Sequence, residues 1–269
     1  MAPENADIEL STILLSWNRV HLLQKTIESY LNTLTVKSEL IIVDNASTDG
    51  SRKLIESTCN GRPDCHAIFL SQNIGGEALN IGMSKTRGEY LHISENDIEY
   101  LPGWDIDLLR KFKVFPELGQ LSPFSPFHQA DLGEIWVDKA AQPLSREGVT
   151  IYVSDENVSS SCIVRREIWN RGVRWKSYES GNFRFPYDGI FSFDVRNLGY
   201  KVAWNDRYVA INWGHNIREF LNDPAYYIED YRAKEWFGLD GFRDRLRAHG
   251  YDLFTEDGKQ YTIRERRTG

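Results

Sequence analysis

The chain has 269 residues, a net charge of −7 and a mean hydropathy of −0.48, with 41% apolar and 13% aromatic residues. That balance excludes disorder, and a chain of this mass can bury about three quarters of its surface. The acidic charge speaks against a nucleic-acid binder, no apolar run approaches the roughly 20 residues of a membrane span, and the polar Met1–Leu10 does not read as a signal peptide. The three cysteines, Cys59, Cys65 and Cys162, form no CxxC. They are read as buried free thiols of a cytoplasmic protein, neither a disulfide framework nor a zinc site.

In chain order, Leu10–Trp17 is a short apolar, β-branched run and predicts a buried strand. Val20–Leu31 has apolar residues at helical spacing. Leu40–Val43 predicts the second strand, with Asp49 or Ser51 to cap the helix after it. Ala67–Leu70 predicts a strand, residues 76–85 a helix, and Tyr90–Ile93 a strand. Alternation of this length implies right-handed crossovers and a parallel sheet. Trp104–Phe115 reads as helical, whereas Leu121–Leu144 is proline-rich and carries few signals. Ser160–Val164 predicts a strand and Arg166–Arg171 a short helix. Tyr187–Leu198 predicts a helix stopped by Gly199. Lys201–Trp204 and Tyr208–Trp213 predict strands, and the pattern after Pro224 is helical.

Polar residues collect where the early strands end. Ser16, Asn18 and Arg19 follow the first, and Asp44, Asn45, Ser47, Thr48 and Asp49 the second. Asn73, Gly75 and Gly76 follow the third, and Glu95, Asn96 and Asp97 the fourth. In an open α/β sheet that rim is where a nucleotide sits. Singly, each residue also suits a helix cap; together they point to a site.

These segments carry a resemblance. STILLSWNR, LIIVDNASTDGS and NIGGEALNIGMSKTRGEYLHISEND resemble glycosyltransferase family 2, and SCIVRREIW and DGIFSFDVRNLGYKV continue it to about residue 215. The resemblance implies an α/β GT-A fold: a Rossmann-like, mostly parallel central sheet flanked by helices, with a small antiparallel portion and C-terminal helices. It implies a GT-A domain over 8–215, with a nucleotide-sugar half at 8–100 and an acceptor and catalytic half at 101–215. Residues 216–269 are expected to form a C-terminal helical extension.

The implied reaction is inverting, metal-dependent transfer from a nucleoside-diphosphate sugar to a hydroxyl acceptor. Glu95-Asn96-Asp97 is similar to the family's D-x-D motif, with Glu in place of the first Asp. Residues 95 and 97 share one side of an extended segment, so both can face one Mn²⁺ or Mg²⁺. Asp97 is expected as a direct ligand, and Glu95 as a ligand through water or a ribose contact. Asp44 matches the position that accepts from the donor base, implying uracil or thymine with guanine left open. Ser16 and Arg19 are expected in the same pocket, and Asn18, Asn45, Asn73, Gly75, Gly76, Asn80 and Asn96 complete the nucleotide set. Leu79 stands where many members carry Arg. Asp188 matches the general base, although Tyr187 replaces the Glu that often precedes it. His215 matches a position that completes the metal site or touches the diphosphate.

The rival readings are a nucleotidyltransferase, a nucleotide-sugar-binding protein without turnover, and a retaining transferase. The loop WNRVH lacks the glycines a triphosphate loop needs. The acceptor is open among glycans, glycolipids and natural products. The aromatic residues Trp136, Trp169, Trp175, Phe183, Phe185, Tyr187, Trp213 and Trp236 are read mostly as core. The basic residues Arg243, Arg245, Arg247 and RERR at 264–267 are read as a solvated face, leaving a peripheral membrane contact open.

Overall fold

A computed structural model describes residues 8–127, 138–180, 183–234 and 238–266; Trp136, Trp236 and Arg267 lie outside them. The first hundred residues follow the expected alternation. Strand β1 (Leu10–Ser16) leads to helix α1 (Val20–Thr33), β2 (Ser38–Asp44) to α2 (Ser51–Cys59), and β3 (Cys65–Phe69) to α3 (Glu77–Met83). Strand β4 (Tyr90–Glu95) follows. The order β3-β2-β1-β4 is parallel throughout, which needs a crossover between each pair of strands. Every residue of β1 is buried, as expected of a strand covered by helices on both faces.

The register aligns the rim. Ser16 pairs with Asp44 across β1 and β2, and Leu15 with Glu95 across β1 and β4. Three of the polar residues singled out in the sequence therefore end on one edge of the sheet. Asp49 caps two helices at once: Oδ1 accepts the Ser51 N–H and Oδ2 the Val20 N–H, both at 2.9 Å.

The remainder extends this sheet. Short β5 (Ile98–Tyr100) precedes helix α4 (Trp104–Val114), then β6 (Leu118–Ser122), β7 (Gln142–Arg146), β8 (Val149–Ser154) and β9 (Cys162–Arg165). Helix α5 (Arg166–Asn170) is followed by the hairpin β10 (Ser177–Ser180) and β11 (Phe183–Pro186). Helix α6 (Asp188–Asn197) ends at Gly199, whose φ of 88° suits glycine. Strands β12 (Lys201–Asn205) and β13 (Ala210–Asn212) follow. The nine-stranded sheet runs β3-β2-β1-β4-β9-β6-β12-β8-β7. Only β9 and β8 oppose the other strands, so the sheet is mostly parallel.

Sequence patterns do not disclose β5, β6, β7, β8 or the β10–β11 hairpin. The C-terminal segment also differs from the all-helical expectation. Helices α7 (Ile217–Asn222), α8 (Pro224–Ala233) and α9 (Gly238–Ala248) are followed by an antiparallel hairpin, β14 (Tyr251–Thr255) and β15 (Tyr261–Glu265). This segment builds its own apolar cluster around Phe220, Tyr227, Tyr231, Phe242, Leu246 and Leu253.

The expectation of three free thiols is corrected. Cys59, at the end of α2, and Cys65, at the start of β3, form a disulfide, with their Cα atoms 4.9 Å apart. A turn through Gly61, at φ 74°, brings helix end and strand start together. Cys162 is buried and free, as expected.

Candidate active site

A cavity of about 560 Å³ opens at the C-terminal edge of β1 and β4. Its wall includes Arg19, Asn45, Asn73, Glu95, Asn96, Asp97, Asp188 and His215 from the expected set. Five separate pieces of chain thus converge: the loops after β1, β2 and β3, the end of β4, and the start of α6. The β5–β13 ladder adds a sixth, because it lays residues 213–215 beside residue 97. The Trp213 N–H donates to the Asp97 carbonyl at 2.8 Å, and a single turn of 3₁₀ helix, Trp213–His215, carries His215 into the wall.

Asp97 is 8% exposed. Its Oδ2 accepts from Arg19 Nη1 at 2.9 Å, while its Oδ1 is buried without a hydrogen-bond partner. Arg19 Nη2 donates to Asn96 Oδ1 at 2.7 Å. Asn18 and Arg19 both adopt positive φ, 53° and 57°, a cost that non-glycine residues bear mainly at functional loops. Burial opposes the Arg19 charge, but Tyr226 and Asp97 outweigh it and hold the guanidinium firmly protonated.

Glu95 accepts from Ser160 Oγ at 2.7 Å and from Ser161 Oγ at 3.5 Å. Burial, then the neighbouring Asp97 charge, push its carboxyl up to about 7, against the Ser160 hydrogen bond. Asp188 opens α6 and accepts the Gly189 N–H at 2.8 Å. Burial raises its carboxyl to about 6. Two partly buried acids with raised pKa thus line one cavity.

Ser16, Asn18, Asp44, Gly75, Gly76 and Asn80 stand behind the wall. Asp44 is fully buried, accepting the Ser47 N–H at 3.3 Å and pairing with Arg52 Nε at 3.3 Å. Ser16 is buried beside it, its hydroxyl without a hydrogen-bond partner. Asn18 Oδ1 accepts the Thr48 N–H at 2.8 Å and so joins the first two loops. Asn45 Nδ2 donates to Asn73 Oδ1 at 2.8 Å, locking the second loop to the third. Gly75 and Gly76 lie under the β10–β11 hairpin, and the Gly76 N–H donates to Ser177 Oγ at 2.6 Å. Asn80 brackets the Trp175 backbone, donating to its carbonyl at 2.8 Å and accepting its N–H at 2.9 Å.

The expected metal residues Glu95, Asp97 and His215 share the cavity wall. Among the described residues, no three His, Cys, Asp or Glu side chains converge as a ready-made metal cage. A divalent ion on a diphosphate needs only one or two protein carboxylates, and the partnerless buried Asp97 Oδ1 fits that demand.

Tyr178 and the hairpin's Phe183 and Phe185, from the stretch Tyr178–Tyr187 that the sequence offers as an acceptor wall, form an aromatic side of the wall with Trp17. Motif reasoning missed the part from the C-terminal segment: Tyr226, Asp230, Tyr231, Lys234 and Arg245. Arg245 is 5% exposed, which corrects its reading as part of a solvated face. The dense aromatic run PAYYIEDY at 224–231 was the available signal.

Comparison with known proteins agrees with this architecture. The family model Glycosyl transferase family 2 matches residues 11–118. The putative teichuronic acid biosynthesis glycosyltransferase TuaG of Bacillus subtilis (strain 168) is 29% identical over 103 residues, 38% of this chain and 39% of that protein. The uncharacterized glycosyltransferase alr2836 of Nostoc sp. is 24% identical over 188 residues, 65% of this chain and 58% of that protein. The chain therefore spans about two to three fifths of these relatives' lengths. Among solved structures, the mannosyltransferase PcManGT from Pyrobaculum calidifontis, in complex with GDP-Man and Mn²⁺, superposes with a TM-score of 0.59 at 15% identity, covering 91% of this chain and 65% of that one. TarS 1–349 of S. aureus in complex with UDP-GlcNAc gives 0.54 at 15% identity, covering 76% and 58%. At such identities the likeness establishes the fold. Residues 11–118 are thus similar to glycosyltransferase family 2, and the central sheet has the GT-A fold.

Proposed function

We propose that this chain is an inverting glycosyltransferase that moves a sugar from a nucleoside-diphosphate sugar to a hydroxyl acceptor. The observation that carries the reading is the convergence of Asp97, Glu95 and Asp188 on one cavity at the edge of the parallel strands. Asp44, the base contact the resemblance implies, lies fully buried behind the cavity wall against Arg52, so a base would reach it only where that pair yields. UDP- and dTDP-sugars are the favoured donors, with guanine open, since PcManGT was solved with GDP-Man and TarS with UDP-GlcNAc. Asp97, with Glu95 and His215 in the same wall, would hold Mn²⁺ or Mg²⁺, which supplies positive charge against the donor's diphosphate.

Asp188 acts as the general base. A hydroxyl acceptor must lose its proton as its oxygen attacks the anomeric carbon from the face opposite the diphosphate. A carboxyl raised to about 6 is ionised at neutral pH yet more basic than an ordinary aspartate. Arg19 adds a fixed positive charge. The aromatic side of the cavity suits the faces of a sugar ring or an aromatic aglycone.

The test is calorimetric titration of UDP, dTDP, GDP and CDP, each with Mn²⁺ or with chelator. One diphosphate should bind tightly and only with the metal. If none binds, the rim is structural and the reading fails. With the donor class known, the anomeric configuration of the transfer product, read by NMR, should be inverted; a retained configuration would replace the mechanism.

A further inference from the structure

Arg19 precedes α1 in the left-handed region, at φ 57°. Its guanidinium bridges two consecutive residues of the acidic segment, donating to Asp97 Oδ2 at 2.9 Å and to Asn96 Oδ1 at 2.7 Å. The Tyr226 ring of α8 lies 5.5 Å from the guanidinium carbon. Asp97 Oδ2 also lies close against Gly214, where an added Cβ would stand 2.2 Å from it. Asp97 Oδ1 has no hydrogen-bond partner. A cation built into the chain thus already sits on the carboxylate that a divalent ion would use.

We propose that Arg19 is a positioning residue that makes divalent-cation binding at Asp97 conditional on the nucleotide. The proposal rests on the transferase reading above and deepens it. A guanidinium and a divalent ion on one carboxylate repel each other in a partly buried site. An entering diphosphate removes the conflict. Its oxygens match the planar guanidinium fork as well as a carboxylate does, so Arg19 transfers to the phosphates and leaves Asp97 to the metal. Metal alone then binds weakly, and nucleotide and metal strengthen each other by the same factor.

The test follows free Mn²⁺ by its EPR signal, with Mn²⁺ alone and with UDP or GDP. Arg19→Asn removes the guanidinium while suiting the left-handed backbone, and Arg19→Gly does so without any side chain. Both variants should bind Mn²⁺ alone roughly tenfold tighter than wild type, the scale of one charged hydrogen-bonded pair. The factor by which nucleotide tightens Mn²⁺ should shrink by a similar amount. A merely structural Arg19 would instead weaken Mn²⁺ and nucleotide binding together in both variants. If wild type shows nucleotide-dependent Mn²⁺ binding and neither variant binds Mn²⁺ alone more tightly, this proposal fails by itself. If wild type binds no Mn²⁺ even with nucleotide, or Asp97→Ala leaves Mn²⁺ binding intact, the metal reading fails and takes this proposal with it.

Discussion

At the scale of single residues, the site is a set of acids held in unlike surroundings. Asp97 faces a guanidinium, whereas Glu95 meets only hydroxyls and Asp188 one backbone N–H. Burial, joined at Glu95 by the Asp97 charge, raises the last two, to about 7 and about 6. If Asp188 is the base, turnover should fall as pH drops through about 6, while nucleotide affinity changes little. Asp188→Asn should remove most turnover at any pH and leave nucleotide binding by calorimetry near the wild-type value; full activity in that variant would remove Asp188 from the mechanism. The same carboxyl costs stability. Its folded value lies above the usual 3.8, so the folded chain keeps this proton over a window in which the unfolded chain has lost it. Stability linked to Asp188 is full below about pH 4 and declines as pH rises to about 6. Asn at this position should therefore raise stability at pH 7, by up to about 3 kcal/mol, at two pKa units and 1.36 kcal/mol each. Urea melts of the two proteins at pH 5 and pH 7 would check it, the gap between them being wider at pH 7.

At the scale of elements, legibility followed local pattern. β1, α1, β2, α2, β3, α3 and β4 announce themselves because each apolar run or helical face is continuous and each loop is polar. The rim was legible for the same reason: parallel strands put all their C-terminal ends on one edge. β7 escaped because it is an exposed edge strand, reading QPLSR with a proline and no buried residue. The β10–β11 hairpin escaped because its strands have four residues each. In the short ladder of β5 with β13, β13 falls within the strand expected over Tyr208–Trp213 but β5 carries no signal, yet the pair decides what stands beside Asp97. Gly214 is its test. An added Cβ would meet Asp97 Oδ2 at 2.2 Å, far inside contact distance, so the carboxylate must shift. Gly214→Ala should weaken Mn²⁺-dependent nucleotide binding tenfold or more, since catalytic and binding constellations tolerate displacements of only about 0.5 Å. Chelator-treated protein should show a much smaller difference between the two. Unchanged Mn²⁺-dependent affinity would mean that Asp97 does not position the donor.

At the scale of the molecule, the C-terminal segment is packed around its own cluster yet completes the cavity. Phe242 is fully buried there, stacked on Tyr231 at 4.5 Å and edge-on to Phe220 at 5.0 Å. Tyr226, Tyr227 and Tyr231 of the same packed unit face the cavity. Its ties to the rest of the chain include polar and aromatic contacts: His21 to Glu219 at 2.9 Å, Arg19 under Tyr226, Phe183 edge-on to Tyr226 at 6.1 Å and Lys234 over Phe185. A second cluster joined by such contacts should open before the central sheet does. Phe242→Ala removes a buried ring, a change worth about 3–5 kcal/mol, and that loss should fall on residues 217–265 alone. Hydrogen exchange should accelerate there while the β1, β2 and β4 amides keep their protection. The nucleotide edge, built by β1–β4 and their loops, should still bind a diphosphate, whereas transfer to the acceptor should fall steeply because the far wall has loosened. Faster exchange spread evenly through the central sheet would mean instead that the segment and the sheet unfold as one unit, and the far wall would then be as rigid a part of the donor site as the strands themselves.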